Sequence, residues 1–225
     1  GGNAAMMHYH ATPEDHAVLE KKGFLLVDSG ATYMDGTTDI TRTYPLGPLT
    51  EDEKRFYTWT LQSHIDLAKA VWLDYCECKM IDTIAREPLW RHLINYRCGT
   101  GHSVSFVGNV HEGPHALNSR NTTRMRPGMV ITDEPGVYET DLVGIRIENE
   151  LVCVHKADNQ YGTFLGFEPL MFVPIATSPI LPGVLDKDEI AWLNDYHRQV
   201  FAKLAPHLND EERSWLAEKC AAIGC

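Results

Sequence analysis

The chain has 225 residues, of which 44% are hydrophobic and 23% charged, so it can bury the core of a folded domain. Its formal net charge is −11 and no cluster of lysine and arginine stands out, which argues against nucleic acid or an anionic membrane as partner. No segment approaches the roughly 18 apolar residues that a membrane-spanning helix needs.

Six cysteines are scattered along the chain without regular spacing. Since no signal peptide precedes them, we expect reduced thiols in a cytoplasmic protein. The chain begins with glycine and almost at once enters residues 5–9, which are predicted to be extended. This beginning indicates a fragment of a larger multidomain protein.

The first predicted element is a β-hairpin. Residues 24–27 form a short apolar segment, residues 39–44 alternate in the manner of a strand, and Asp35-Gly36 between them is a turn signal. Asp28 is expected at the end of the first strand and Asp39 at the start of the second.

Capping boxes predict where three helices begin, and a further helix is predicted over residues 79–90. The boxes are Thr50 with Glu53, Asp186 with Glu189, and Asn209 with Glu212. Pro206 is expected to end the helix that follows Asp186.

The second half adds strands, predicted over residues 102–110, 129–132 and 144–154. Strands that follow one another in hairpins, without a βαβ rhythm, indicate the α+β class.

Four carboxylates occupy comparable places in two hairpins: Asp28 and Asp39 in the first, Glu134 and Glu148 in the second. Carboxylates on adjacent antiparallel strands can converge on one face of a sheet. Such a group resists ionising together unless cations compensate it. With His102 added, the donors suffice for two bridged metal ions. Either pair alone could equally consist of turn or surface residues.

These residues fall in an ordered series of motifs that resembles the pita-bread metallopeptidases, a family that includes aminopeptidase P, prolidase and methionine aminopeptidase. The motifs are Asp28-Ser-Gly-x-x-Tyr33, Asp39-Ile-Thr-Arg-Thr43, Gly99-Thr-Gly-His102, Asn109-Val-His-Glu-Gly-Pro114, Thr132-Asp-Glu-Pro-Gly136 and Gly144-Ile-Arg-Ile-Glu-Asn149. Two later phrases, Phe167-Glu-Pro-Leu-x-x-Val-Pro174 and Trp192-Leu-Asn-x-Tyr-His197, are most similar to the three-domain aminopeptidase P. The resemblance covers nearly the whole chain.

The resemblance implies an α+β pita-bread fold, with a curved antiparallel sheet flanked by helices and without the family's N-terminal helices. Residues 1–225 would form one catalytic domain, in which residues 180–225 are a C-terminal helical extension. Two divalent metal ions, with manganese as the expected identity, are implied as cofactors. The implied metal ligands are Asp28, Asp39, His102, Glu134 and Glu148.

Further roles follow from the same resemblance. His8 and His111 correspond to histidines on the substrate side, and Glu134 to the group that carries a proton to the leaving nitrogen. Arg146 is expected to pair with a ligand carboxylate and orient it.

Three positions depart from the family pattern. Cys98 stands where such aminopeptidases carry a histidine four residues before the metal-binding one, and Ser103 and Ser105 replace glycines. A thiol cannot replace an imidazole as a proton carrier near neutral pH unless its pKa shifts. Rate and substrate preference are therefore the properties that these changes affect.

The implied activity is hydrolysis of an N-terminal Xaa-Pro bond in peptides with proline at the second position, by a protein whose relatives commonly form homodimers. Prolidase, which cleaves Xaa-Pro dipeptides, is the first alternative, and methionine aminopeptidase is another. A non-catalytic pita-bread module that binds peptides or proteins is the alternative from a different class.

Overall fold

The computed structural model describes residues 2–224 of the chain, with side chains from Ala4 onward. These residues contain four α-helices and ten strands. The helices are α1 (Glu51–Ala68), α2 (Cys78–Trp90), α3 (Lys187–Leu204) and α4 (Asp210–Lys219). The strands are β1 (Phe24–Tyr33), β2 (Gly36–Pro45), β3 (Val71–Leu73), β4 (Gly101–Ser103), β5 (Glu112–Leu117), β6 (Val130–Asp133), β7 (Gly136–Glu139), β8 (Val143–Arg146), β9 (Asn149–Asn159) and β10 (Gly162–Pro169).

The predicted first hairpin is present and longer than predicted. β1 and β2 pair antiparallel from Phe24 opposite Pro45 to Tyr33 opposite Gly36, so the turn falls at Asp35-Gly36 as expected. Because both strands continue toward the turn, Asp28 and Asp39 lie within the strands and not at their ends.

Three strands of the second half join β3 in a sheet with the order β3-β10-β9-β6, and β7 and β8 make a separate hairpin. The strand predicted over residues 144–154 is interrupted at residues 147–148, between β8 and β9. Here the main-chain N–H of Glu148 donates to the carbonyl of Thr41 in β2 at 3.1 Å. This hydrogen bond joins the segment between β8 and β9 to the first hairpin.

Two predicted extended segments are wrong. Residues 102–110 are extended only as far as Ser103, because the Ser105 hydroxyl donates to the Asn109 carbonyl at 2.7 Å and closes a loop. Of residues 5–9, the first ends a short 3-10 helix (Gly2–Ala5). The others form a turn, in which the Tyr9 N–H donates to the carbonyl of Met6 at 3.1 Å. Local hydrogen bonds replace strand pairing in both segments.

All three capping boxes are present, with Thr50, Asp186 and Asn209 each accepting the amide three residues on. Pro206 lies in the short 3-10 helix that follows α3, in agreement with its predicted role. The helix predicted over residues 79–90 is α2, which begins one residue earlier.

Two apolar cores hold the helices on the sheet. In the first, α1 and α3 pack against β8 through residues such as Leu61, Leu193 and Ile145. In the second, α2 packs on the four-stranded sheet through Ile81 and Leu151. Each fully buried side chain of this size stabilises the fold by about 1.5–3 kcal/mol, so the cores fix the strands that carry the polar site.

Five cysteines lie in the described residues, and all are free thiols: Cys76, Cys78, Cys98, Cys153 and Cys220. Cys225 lies outside the described residues. Among the described residues, no helix combines the length and the apolar character that a membrane crossing requires.

Leu93, just after α2, has a left-handed backbone with φ of 60°, and 97% of the residue is exposed. Its neighbour Ile94 donates its N–H back to the carbonyl of Leu89 at 3.1 Å, an arrangement in which glycine is normally found. A side chain in this conformation is unfavourable and here contributes little burial. We expect Leu93→Gly to raise the free energy of unfolding by about 1 kcal/mol, measured by urea denaturation.

Leu93→Ala is the matched control, because alanine keeps the Cβ atom that causes the strain, and it should show no comparable gain. Destabilisation by glycine would contradict this account of the position.

Candidate metal centre

Four of the five predicted ligands converge on one point. One donor atom from each of Asp39, His102 and Glu148 lies within 4.8 Å of the others. Glu134 joins this group, because its Oε1 lies 3.3 Å from His102 Nε2, and Asp39 Oδ2 lies 3.4 Å from the same nitrogen. Asp39 lies in β2 and His102 in β4, whereas Glu134 directly follows β6 and Glu148 directly precedes β9.

The orientation of His102 leaves one ring nitrogen directed at the carboxylates. Its Nδ1 lies 3.1 Å from the carbonyl oxygen of Ser103, which can only accept a hydrogen bond. The proton of a neutral ring is therefore on Nδ1, and the Nε2 lone pair faces the centre. Gly101, the residue before His102, lets β4 lie close to β6, because a Cβ atom at this position would lie 1.8 Å from the Thr132 carbonyl oxygen.

The negative charge of the carboxylates is compensated only in part. Burial raises the pKa of Glu134 to about 7, although His102 and Arg146 act in the opposite direction. Burial also raises the pKa of Glu148 well above its ordinary value, and the charges of Glu134 and Asp39 add to the effect.

The pKa of His102 is raised as well. Burial alone would lower it, but the Asp39 hydrogen bond and the Glu134 charge outweigh burial. A proton is thus favoured at each of these groups, as expected where positive charge is needed.

The donor set fits divalent cations. Glu148 accepts a hydrogen bond from the Thr41 hydroxyl at Oε2 (2.5 Å), while its buried Oε1 has no hydrogen-bond partner among the described residues. Hard carboxylate oxygens with one imidazole suit manganese, iron, cobalt or zinc. A buried carboxylate oxygen without a partner, in a residue of such a set, is a group whose charge a bound cation would compensate.

Asp28 differs from the other predicted ligands. Its side chain is 44% exposed, and its Oδ2 accepts a hydrogen bond from Arg146 Nη2 at 2.6 Å. It therefore lies at the edge of the group of four. Arg146 also donates to Thr41 at 3.0 Å, and its Nε lies 3.8 Å from Glu134 Oε2. The arginine thus bridges two of the predicted ligand carboxylates, in the position from which it could orient them.

The two predicted substrate-side histidines lie on the open side. The His111 ring lies 3.7 Å from the His102 ring, centroid to centroid, and both His111 and His8 are exposed. The pKa of His111 is lowered by burial and then by the charge of His102, with a smaller contribution from His8. His111 is therefore within electrostatic reach of the carboxylate group, and His8 lies within electrostatic reach of His111.

Cys98 is half-buried, and burial followed by the charge of Glu134 raises the pKa of its thiol. It is accordingly a neutral thiol near the predicted ligands, and not a reactive thiolate. Ser103 and Ser105 are buried, and both serve the backbone that carries His102 and the loop after it.

Sequence reasoning missed two threonines and a glutamate. Thr41 donates to Glu148 and Thr132 to Glu134 Oε1 (3.1 Å), so both hold carboxylates of predicted ligands, and Thr132 also accepts the His102 amide at 2.9 Å. Glu150 is buried nearby, and burial raises its pKa to about 7. All three lie two residues from a predicted ligand, so the period of two along a strand was the available signal.

A buried network of hydrogen bonds holds the residues next to Glu134 and Glu148. Asn149, next to Glu148, accepts hydrogen bonds from Arg42 at 2.8 Å and from Tyr196 of α3 at 3.1 Å. Its amide nitrogen lies 3.2 Å from His64 Nε2 in α1, and His64 Nδ1 lies 3.1 Å from a carboxylate oxygen of Asp133. The network therefore links α1 and α3 to the residues that precede Glu134 and follow Glu148.

Comparison with known proteins assigns the family. Residues 1–155 match the model of metallopeptidase family M24, and residues 163–223 match the model of the C-terminal region of that family. The chain belongs to metallopeptidase family M24.

Similar M24 proteins include two aminopeptidases P. The probable Xaa-Pro aminopeptidase P of Coprinopsis cinerea is 40% identical over 231 residues, which cover 99% of this chain and 37% of that protein. Aminopeptidase P2 of Arabidopsis thaliana is 42% identical over 223 residues, which cover 96% of this chain and 31% of that protein. This M24 chain thus spans about a third of the length of these relatives.

Solved structures confirm the fold. An X-prolyl aminopeptidase from Caenorhabditis elegans, described as a cytosolic enzyme with a di-nuclear active site, is 37% identical with a TM-score of 0.93, over 99% of this chain and 37% of that one. A prolidase from Pyrococcus furiosus gives a TM-score of 0.62 at 28% identity, over 74% of this chain and 45% of that one. The pita-bread fold and the resemblance to aminopeptidase P that the sequence predicts are therefore confirmed.

The raised carboxylate pKa values predict how the stability of the metal-free M24 chain depends on pH. A folded Glu134 with a pKa of about 7 keeps its proton over a range in which the unfolded chain has lost it. The native state then binds more protons, so stability falls as the pH rises from about 4.5 to about 7. The contribution of Glu134 is on the order of 3 kcal/mol.

Thermal melts of EDTA-treated protein between pH 5 and 8 measure this effect, and Glu134→Gln should flatten the slope. The exposed Glu168→Gln is the matched control and should keep the parent slope. Equal slopes in all three proteins would show that Glu134 ionises normally.

Proposed function

We propose that this chain is the catalytic portion of a metal-dependent aminopeptidase that hydrolyses the N-terminal Xaa-Pro bond of peptides. The observation that carries the proposal is the convergence of Asp39, His102, Glu134 and Glu148 in an M24 fold. The similarity to aminopeptidases P over nearly the whole chain supports this specificity over others in the family.

The proposed cofactors are two divalent metal ions, held by these four residues together with Asp28. Four carboxylates carry about the charge that two divalent ions neutralise, and the similar C. elegans enzyme is described as having a di-nuclear active site. When bound, the ions would supply an activated water and polarise the carbonyl of the scissile bond. Manganese is the proposed identity, because the donor set is dominated by hard oxygens.

Glu134 is the proposed proton carrier. Thr132 fixes its Oε1 by a hydrogen bond at 3.1 Å, and Arg146 Nε lies 3.8 Å from Oε2. From this position the carboxylate would take a proton from the attacking water and give it to the leaving prolyl nitrogen.

The two exposed histidines are the proposed substrate contacts. His111 lies against the His102 ring, and His8 is near His111, so a peptide that reaches the carboxylates passes both. We assign His8 to the oxygen of the scissile carbonyl, where negative charge develops, and His111 to the substrate beyond the scissile bond. Because proline in the second position has no amide N–H, contacts to its ring must replace strand-like hydrogen bonds.

Further properties of the whole protein follow as proposals. Residues 1–225 form the catalytic domain, with residues 180–225 as its helical extension. A cytoplasmic location is supported by the description of the C. elegans enzyme as cytosolic. We also propose a homodimer, and the charge of −11 supports peptides, not nucleic acid or membranes, as partners.

Substrate choice tests the specificity. With manganese present, the chain should release alanine from Ala-Pro-Ala and leave Ala-Pro intact, as followed by mass spectrometry. Cleavage of Ala-Pro alone would instead identify a prolidase, and cleavage after methionine alone a methionine aminopeptidase. Tight binding of a peptide or protein by the metal-free chain, without hydrolysis, would favour the non-catalytic module.

Removal of one ligand tests the metal centre. Asp39→Asn takes a negative charge from the group and should weaken manganese binding by more than about 100-fold, with loss of hydrolysis. Binding is measured by calorimetric titration. Asp35→Asn, in the exposed turn of the same hairpin, is the control and should bind as the parent does. Retained binding and hydrolysis in Asp39→Asn would overturn the ligand assignment.

A further inference from the structure

Glu150 is a buried acidic residue that the proposed mechanism does not use. Only 5% of the residue is exposed, and its Oε1 is buried without a hydrogen-bond partner among the described residues. No lysine or arginine forms an ion pair with it in the part of the chain that the structure describes. Burying a carboxylate in this way destabilises a fold unless something compensates the charge.

The strand register places Glu150 beside the centre. It lies opposite Thr132, whose hydroxyl contacts both the His102 amide and the Glu134 carboxylate. Residues directly opposite each other in an antiparallel pair place their side chains on the same face, so the Glu150 side chain lies on the face that carries the Thr132 hydroxyl. The main-chain N–H of Asp39 in β2 lies near the Glu150 carboxylate and favours its charged form.

A neutral residue could fill this position without the electrostatic penalty. When it is ionised, Glu150 adds one more negative charge next to Asp39, in a setting where like charges already oppose one another. Arg146, the cation that contacts the predicted ligands, is engaged with Asp28, Thr41 and Tyr138. His102 offsets the charge of Glu150 in part, and a cation bound in the centre would supply the compensation that Arg146 does not.

The geometry points to Glu150 as a positioning residue of the metal centre, which raises the affinity for the ion held by Asp39 and His102 and lowers the stability of the metal-free chain. The carboxylate acts on the ion through its charge and through the main chain of Asp39, without being a ligand. This inference rests on the metal centre of the proposed function and not on its peptide specificity.

Glu150→Gln isolates the charge, because glutamine keeps a side-chain oxygen that can face the Asp39 N–H and its volume is nearly that of glutamate. We expect manganese to bind about tenfold more weakly, as is typical when a group behind the ligands is removed. The melting temperature of the EDTA-treated variant should equal or exceed that of the parent. Calorimetric titration with manganese alone and thermal melts of the 225-residue chain provide the two values.

Glu150→Asp keeps the charge and should bind manganese more tightly than Glu150→Gln. Glu168→Gln removes an exposed carboxylate from the neighbouring strand β10 and should change neither value.

Unchanged manganese affinity in Glu150→Gln would overturn the inference. A lower melting temperature of that variant, or its failure to fold, would also overturn it, because either result would assign Glu150 a structural role. If the parent chain itself binds no manganese, the proposed metal centre fails. A parent that binds manganese but does not cleave Xaa-Pro peptides leaves this inference standing.

Discussion

Repulsion among buried carboxylates is the constraint on which the rest of the structure depends. Asp39, Glu134 and Glu148 lie close enough together that burial and mutual repulsion raise the pKa of both glutamates. The protein offsets this repulsion only in part, through threonine hydroxyls and one arginine at the edge. The remaining deficit of positive charge makes the centre receptive to cations, so the instability of the metal-free site and its affinity for metal have the same origin.

The backbone holds these side chains against their repulsion. The amide of Glu148 donates to Thr41 at 3.1 Å, and the amide of Glu134 donates to Thr100 at 2.8 Å. Each glutamate is thus fixed by its own main chain to a strand or loop from another part of the sequence. The network from His64 to Tyr196 fixes the adjoining residues from the opposite side. The carboxylates therefore cannot separate without breaking contacts between sheets and helices.

Sequence reasoning succeeded where structure is set locally. The turn at Asp35-Gly36 and the three capping boxes are encoded within four residues, and all were predicted. It failed at residues 102–110, where the hydrogen bond from Ser105 to Asn109 competes with strand formation.

At the site, the group of four followed from motifs. By contrast, the contact of Asp28 with Arg146 and the burial of Glu150 depend on strands far apart in sequence. Spacing cannot reveal such pairings.

The two sides of the centre differ in how firmly they are held: Asp39, His102 and Glu134 are 12–17% exposed at their side chains, whereas Asp28 is 44% exposed. Because Arg146 keeps its hydrogen bonds to Thr41 and Tyr138, Asp28 can turn toward a cation without leaving the guanidinium unpaired. The positions of Asp39, His102 and Glu134 are therefore set by the fold. Asp28, on the side on which His8 and His111 lie, is the residue that can adjust to an arriving ion.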